Sequence, residues 1–137
     1  LAESAQSTEV VLVIDDSDVA RAEMIRVLEQ AGFRVMGLAS PIGATRAILE
    51  NGVRVVVIDI MMPGMRGDRL AALFRGNPRL RDLGVVLVSG ASAAELLSLS
   101  VESGANAVVS KASLHELVPA VRKAMRRRDS VPGITYG

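Results

Sequence analysis

Five polar side chains stand directly after apolar runs in this 137-residue chain. Asp15 and Asp16 follow Val10-Val11-Leu12-Val13-Ile14, and Asp59 closes Val53-Arg54-Val55-Val56-Val57-Ile58. Ser89 follows Val85-Val86-Leu87-Val88, and Lys111 comes soon after Ala107-Val108-Val109. If the runs are neighbouring parallel strands, these ends meet on one edge, where open α/β sheets bind ligands. Three carboxylates gathered there repel one another, so some stay protonated or a cation joins them. An all-oxygen set points to a hard divalent ion such as Mg²⁺ rather than zinc. Mg²⁺ needs only one or two carboxylates, which leaves another as nucleophile. Lys111 supplies a point charge for a phosphoryl oxygen and Ser89 a hydroxyl donor. The chemistry that uses all five is an aspartyl phosphate.

Each residue also has a plainer reading. Asp15 and Asp16 can cap the following helix. Asp59 can be a turn residue, Ser89 a loop hydroxyl and Lys111 a solvated charge. Four strand ends carrying such groups on one edge make the plain readings hard to hold together.

The elements that must position them follow an alternating pattern. Continuous apolar runs mark strands covered on both faces. Strands are expected at 10–14, 33–39, 53–59, 85–88 and 107–109. The first helix, 19–31, has Met24, Ile25, Leu28 and Ala31 on one stripe and Gly32 at its end. Ser40-Pro41 should open the second helix, with Ser40 as cap, and Asn51-Gly52 should close it. A short helix is expected at 68–75. Ser92-Ala93-Ala94-Glu95 has capping-box spacing and starts a fourth helix running to Gly104. Ser113-Leu114-His115-Glu116 should open the fifth, with Pro119 bending its first turns. Five strand–helix units imply a parallel sheet with helices on both faces.

Composition excludes several classes. Aromatics are 2% of the chain, namely Phe33, Phe74 and Tyr136, so the core is aliphatic and base-stacking RNA modules are disfavoured. Sixteen basic against fifteen acidic residues leave a net charge of +1, which is no nucleic-acid binder's balance. Cysteine is absent, removing disulfides and thiolate metal sites and suiting a reducing cytoplasm. No apolar run approaches the roughly 18 residues of a spanning helix.

Together the Asp15-Asp16 pair, Asp59, the segment Met62-Pro63-Gly64-Met65-Arg66-Gly67, Ser89 and Lys111 carry a family resemblance. In order and spacing the chain resembles the receiver domain of two-component response regulators, of the chemotaxis-regulator kind. The resemblance covers about 10–127. It implies a flavodoxin-like (βα)5 sheet of order 2-1-3-4-5. It implies Asp59 as phosphoacceptor, Asp15 and Asp16 as the acidic pair, and Asp16 as the more direct Mg²⁺ ligand. Met61 would add a backbone carbonyl to the metal. Ser89 would be the switch hydroxyl and Lys111 the charge partner of the phosphoryl group. The implied donor is a histidine kinase or phosphotransfer protein. The implied readout is the surface of the fourth helix, fifth strand and fifth helix, seen by a downstream protein or a linked output domain. Such a domain is a signalling switch rather than an enzyme, acts in the cytoplasm, and touches neither nucleic acid nor membrane itself.

Two positions depart from the family pattern. The switch aromatic, three residues before the lysine, is Val108, and the proline after the lysine is Ala112. Met61 and Ala91, expected at the pocket mouth, cannot position a water, which implies slow self-hydrolysis. A receiver fold that docks partners whatever its phosphorylation state is the competing reading. A hydrolase is disfavoured because Asp59-Ile60-Met61 lacks a second Asp.

Residues 1–9 read as a polar lead or linker, 10–128 as the receiver unit and 129–137 as a tail or linker. Leu1 in place of Met suggests excision from something longer. His115 reads as a solvated residue, so the chain is no histidine kinase. Arg122-Lys123 and Arg126-Arg127-Arg128 favour a helix C-terminus, or dock an acidic partner. Most of the six methionines read as core or loop filler.

Overall fold

The computed structural model describes residues 9–90, Glu95, Ser98 and 104–129, with side chains of the last helix described as far as Met125. Strands β1 (Val10–Ile14), β2 (Arg34–Leu38), β3 (Val53–Asp59), β4 (Gly84–Ser89) and β5 (Ala107–Ser110) pair in parallel in the order β2-β1-β3-β4-β5. This is the flavodoxin-like order the resemblance implies.

Alternation along each strand divides the core into two layers. Leu12, Ile14, Val56, Ile58, Val85 and Leu87 face one side, under α2 (Ala44–Asn51) and α3 (Gly67–Arg75). Val11, Val13, Val55, Val57, Val86, Val88 and Val109 face the other. There α1 (Asp18–Gln30) contributes Met24 and Leu28, and the C-terminal helix (Leu117–Asp129) contributes Leu117, Val121 and Ala124. Burial on both faces explains why the strands are continuously apolar rather than alternating.

Several local expectations are corrected. Residues 41–43 are not helical, and α2 starts at Ala44 after Gly43 at φ 83°. The left-handed glycine interrupts the helical path, so Ser40 Oγ accepts from the Ile42 N–H within a turn instead of capping the helix. The box at Ser113 does not open an α-helix either. Lys111–Glu116 is a 3₁₀ segment, Ser113 has non-helical φ −130° and ψ 52°, and the α-helix begins at Leu117. Pro119 thus falls in the first turn, where its missing N–H has no acceptor to lose. At the other end the helix runs on to Asp129. Of the expected fourth helix Glu95, Ser98 and the closing Gly104 are described, and the first two are helical; the rest of it, with Ala91 and the first three residues of the capping box, lies outside the described residues.

Candidate functional site

Register brings the polar strand ends together. Ile14 pairs with Ile58, so Asp15, one residue on, stands level with Asp59. Asp59 pairs with Val88, which places Ser89 one step further out on the next strand. Ser89 pairs with Ser110, and Lys111 follows directly. Asp15 and Asp59 continue the odd-numbered series that faces α1 and the C-terminal helix, so both carboxylates project to the same side.

Asp15 is completely buried and Asp59 nearly so, whereas Asp16 is exposed. Lys111 Nζ lies between the two buried groups, 3.1 Å from Asp15 Oδ2 and 3.2 Å from Asp59 Oδ1. The contact with Asp15 is an ion pair to its Oδ2. The other oxygen, Oδ1, accepts from the Ser17 N–H at 2.8 Å. Arg21 donates to the Asp15 carbonyl at 2.7 Å and to Asp18 Oδ1 at 2.6 Å, anchoring the β1 end to α1. Ser17 is the N-cap of α1, with Oγ accepting from the Ala20 N–H at 3.2 Å. The capping role considered for Asp15 and Asp16 therefore belongs to Ser17, and both carboxylates are left to the site.

Asp59 Oδ1 also accepts from the Met61 N–H at 3.4 Å. The turn behind it is held by Ile60, which donates to the Val88 carbonyl at 3.0 Å and accepts from the Gly67 N–H at 2.9 Å. Gly67 packs against this turn so closely that a Cβ there would lie 2.3 Å from the Asp59 carbonyl oxygen. Ser89 is buried at the end of β4. Val108 is half-buried against the α2–α3 layer.

The electrostatics follow from this packing. Burial first, then the negative charge of Asp15, raise the Asp59 carboxyl above its ordinary value, and Lys111 and the Met61 N–H offset only part of that. Burial pulls the Lys111 ammonium down, but its pairing with Asp15 and Asp59 outweighs this and raises it. Oxygens of Asp15, Asp16 and Asp59 lie within 4.8 Å of one another. A hard, all-oxygen donor set of this kind can hold a divalent cation.

Residues 11–122 match the response regulator receiver domain. The chain belongs to this family. The acidic cluster and the Lys111 ion pairs match the receiver's phosphoacceptor and metal-binding architecture, so the chain is a signalling switch rather than a conventional enzyme. Over 109 residues it is 33% identical to the two-component response regulator ORR6 of Oryza sativa, a match covering 75% of this chain and 62% of that protein. Over 120 residues it is 35% identical to the C4-dicarboxylate transport transcriptional regulatory protein DctD of Rhizobium meliloti, covering 86% of this chain and 25% of that one. The chain thus spans less than two thirds of these relatives. A two-component response regulator of the LuxR family from Aurantimonas superposes with a TM-score of 0.76 at 25% identity, covering 89% of this chain and 88% of that one. A sensor protein from Polaromonas shares the fold at a TM-score of 0.80 and 19% identity, over 89% of this chain and 99% of that one. No helix among the described residues is long and apolar enough to cross a membrane.

Sequence reasoning missed the supporting residues. Ser17, directly after the acidic pair, carries a recognisable capping signal. The Arg21 contact with the Asp15 carbonyl and the close approach at Gly67 carry none, because each depends on how the chain folds back at a turn.

Proposed function

We propose that Asp59 accepts a phosphoryl group from a phosphohistidine on a histidine kinase or phosphotransfer protein. The observation that carries this reading is the pair of contacts from Lys111 to Asp15 and Asp59. Asp59 attacks phosphorus through a carboxylate oxygen, an O–P bond forms, and the P–N bond to the donor imidazole breaks. Lys111 then exchanges one carboxylate partner for a phosphoryl oxygen. Asp15, Asp16 and the Met61 carbonyl would hold Mg²⁺, with Asp16 the more direct ligand and Asp59 the fourth group of the set. Bound there, the ion would neutralise charge on the phosphoryl oxygens. Ser89 donates its hydroxyl to another of those oxygens, which draws the end of β4 toward the site. That shift alters the surface built around β5 and the C-terminal helix, which a downstream protein or a linked output domain reads. The domain itself acts in the cytoplasm and contacts no nucleic acid.

Incubation with Mg²⁺ and a small phosphodonor should give an acid-stable, alkali-labile adduct of one phosphoryl group. Its persistence in Asp59→Asn would remove Asp59 from the role. Val108 favours a second reading, a module that docks partners whatever its phosphorylation state, because no ring stands at the position that normally follows the switch hydroxyl. Equal partner affinity with and without the phosphoryl group would select that reading.

A further inference from the structure

All six methionines are described, and they are not alike. Met24, Met62 and Met125 are buried, and Met36 and Met65 are half-buried against the core. Met61 is 65% exposed. It is also the methionine whose backbone N–H meets Asp59 Oδ1. Its thioether is not simply solvated, for Arg66 Nη1 lies 3.7 Å from Sδ. Arg66 is steadied in turn by its Nε contact with Asp68 Oδ1 at 3.1 Å, in the first turn of α3. An exposed thioether therefore sits two residues beyond the phosphoacceptor, with a guanidinium N–H directed at its sulfur.

A thioether is a weak hydrogen-bond acceptor, and a sulfoxide oxygen is a strong one. The guanidinium thus gains far more from the oxidised side chain than from the reduced one. We infer that Met61 is a peroxide-sensitive modification site whose sulfoxide is held by Arg66 at the mouth of the Asp59 pocket and shortens the life of the phosphoryl group. The inference rests on the phosphoacceptor role proposed for Asp59. A lone pair on Sδ attacks one peroxide oxygen, an S–O bond forms and the O–O bond breaks. Sulfur is oxidised by two electrons, and the departing hydroxide takes the proton that the transferred oxygen still carries, leaving the sulfoxide and water. The new oxygen has lone pairs beyond the one Arg66 engages, and one of these can orient a water toward phosphorus. The reduced side chain offers no such acceptor.

The test uses the full chain exposed to limited hydrogen peroxide. Fragmentation mass spectrometry of the peptide carrying Met61, Met62 and Met65 gives the order of oxidation. Phosphoryl lifetime is then measured, each protein against its own untreated sample. Met61 should be oxidised first. The phosphoryl group of the oxidised protein should then be lost roughly tenfold faster, well short of what a positioned general base supplies. Methionine sulfoxide reductase should restore the lifetime, which general oxidative damage would not allow. The change should disappear in Met61→Leu and shrink in Arg66→Gln oxidised to the same extent. Oxidation of Met65 or Met62 ahead of Met61 overturns the inference. So does an unchanged lifetime at full Met61 oxidation, or a response in Met61→Leu equal to that of the unsubstituted chain. Failure of the untreated chain to form any adduct counts instead against the phosphoacceptor role.

Discussion

A carboxylate that attacks phosphorus must be ionised, yet burial and the neighbouring Asp15 both favour the protonated form of Asp59. The same two causes make the ionised group more basic, hence a better nucleophile once a cation has drawn off its proton. Folding carries the cost of this arrangement. A carboxyl whose value rises on folding adds stability below its unfolded value, near pH 3.8, and loses it as pH climbs through the folded value. Asp59→Asn cannot ionise and escapes that loss. At pH 7 its Tm should exceed that of the unsubstituted chain by a few degrees, and the gap should close as pH falls toward 3.8. Thermal melts across this window check it, and a constant gap would mean that ionisation of Asp59 is not the cause. Lys111 follows the same sign at a higher range, so at pH 7 its pairing still stabilises the fold. Its raised value means that its contribution is complete below pH 10.5 and fades above the folded value.

The elements hold these residues through contacts that differ in cost. Gly67 → Ala would set a methyl group 2.3 Å from the Asp59 carbonyl oxygen and 2.8 Å from Ile58 Cγ2, and backbone cannot step aside cheaply. A loss of about 1–3 kcal/mol is expected, as for other overpacked sites. Denaturant melts read that loss, and phosphoryl transfer should slow as well because the Ile60 turn positions Asp59. Ser17→Ala removes an exposed cap and should cost about 1 kcal/mol in the same melts. It should leave the Asp15 contacts with Lys111 in place, since Ser17 reaches Asp15 through its backbone N–H. The sequence made the five strands and the four polar strand ends legible, because doubly covered strands leave continuous apolar runs and parallel register then aligns their ends. The helix starts at 41 and 113 were misread for one reason. Ser-Pro and capping-box spacings report a willingness to begin a helix, while the φ of Gly43 and the 3₁₀ turn after Lys111 are set by how the chain leaves β2 and β5. Asp18 and Arg21 stand at i,i+3, a spacing open to sequence reading, whereas the Arg21 contact with the Asp15 carbonyl and the Arg66 contact with Met61 leave no such signal.

At the scale of the molecule, the site closes one edge of a sheet that both helical layers grip. Asp15 and Asp59 extend the rows packed against α1 and the C-terminal helix, and the turn after Asp59 leads into α3 on the opposite face. A cation joining Asp15, Asp16 and Asp59 would therefore tie β1 to β3 and relieve the repulsion between their ends. Binding to the folded state alone stabilises it by about 2.7 kcal/mol at a hundred times the dissociation constant. Mg²⁺ should thus raise Tm at pH 7 in proportion to the logarithm of its concentration, well after the dependence on monovalent salt has been matched. The rise should fall away as pH drops through the raised value of Asp59, because a proton then competes with the ion for the same oxygen. Asp15→Asn should abolish most of it, while Asp68→Asn, an acidic residue on α3 that pairs with Arg66 outside the cluster, should leave it intact. Melts with Mg²⁺ and with matched monovalent salt, run on both variants, separate site binding from general screening. An equal response in the two variants would mean that the carboxylates at the strand ends do not hold the ion.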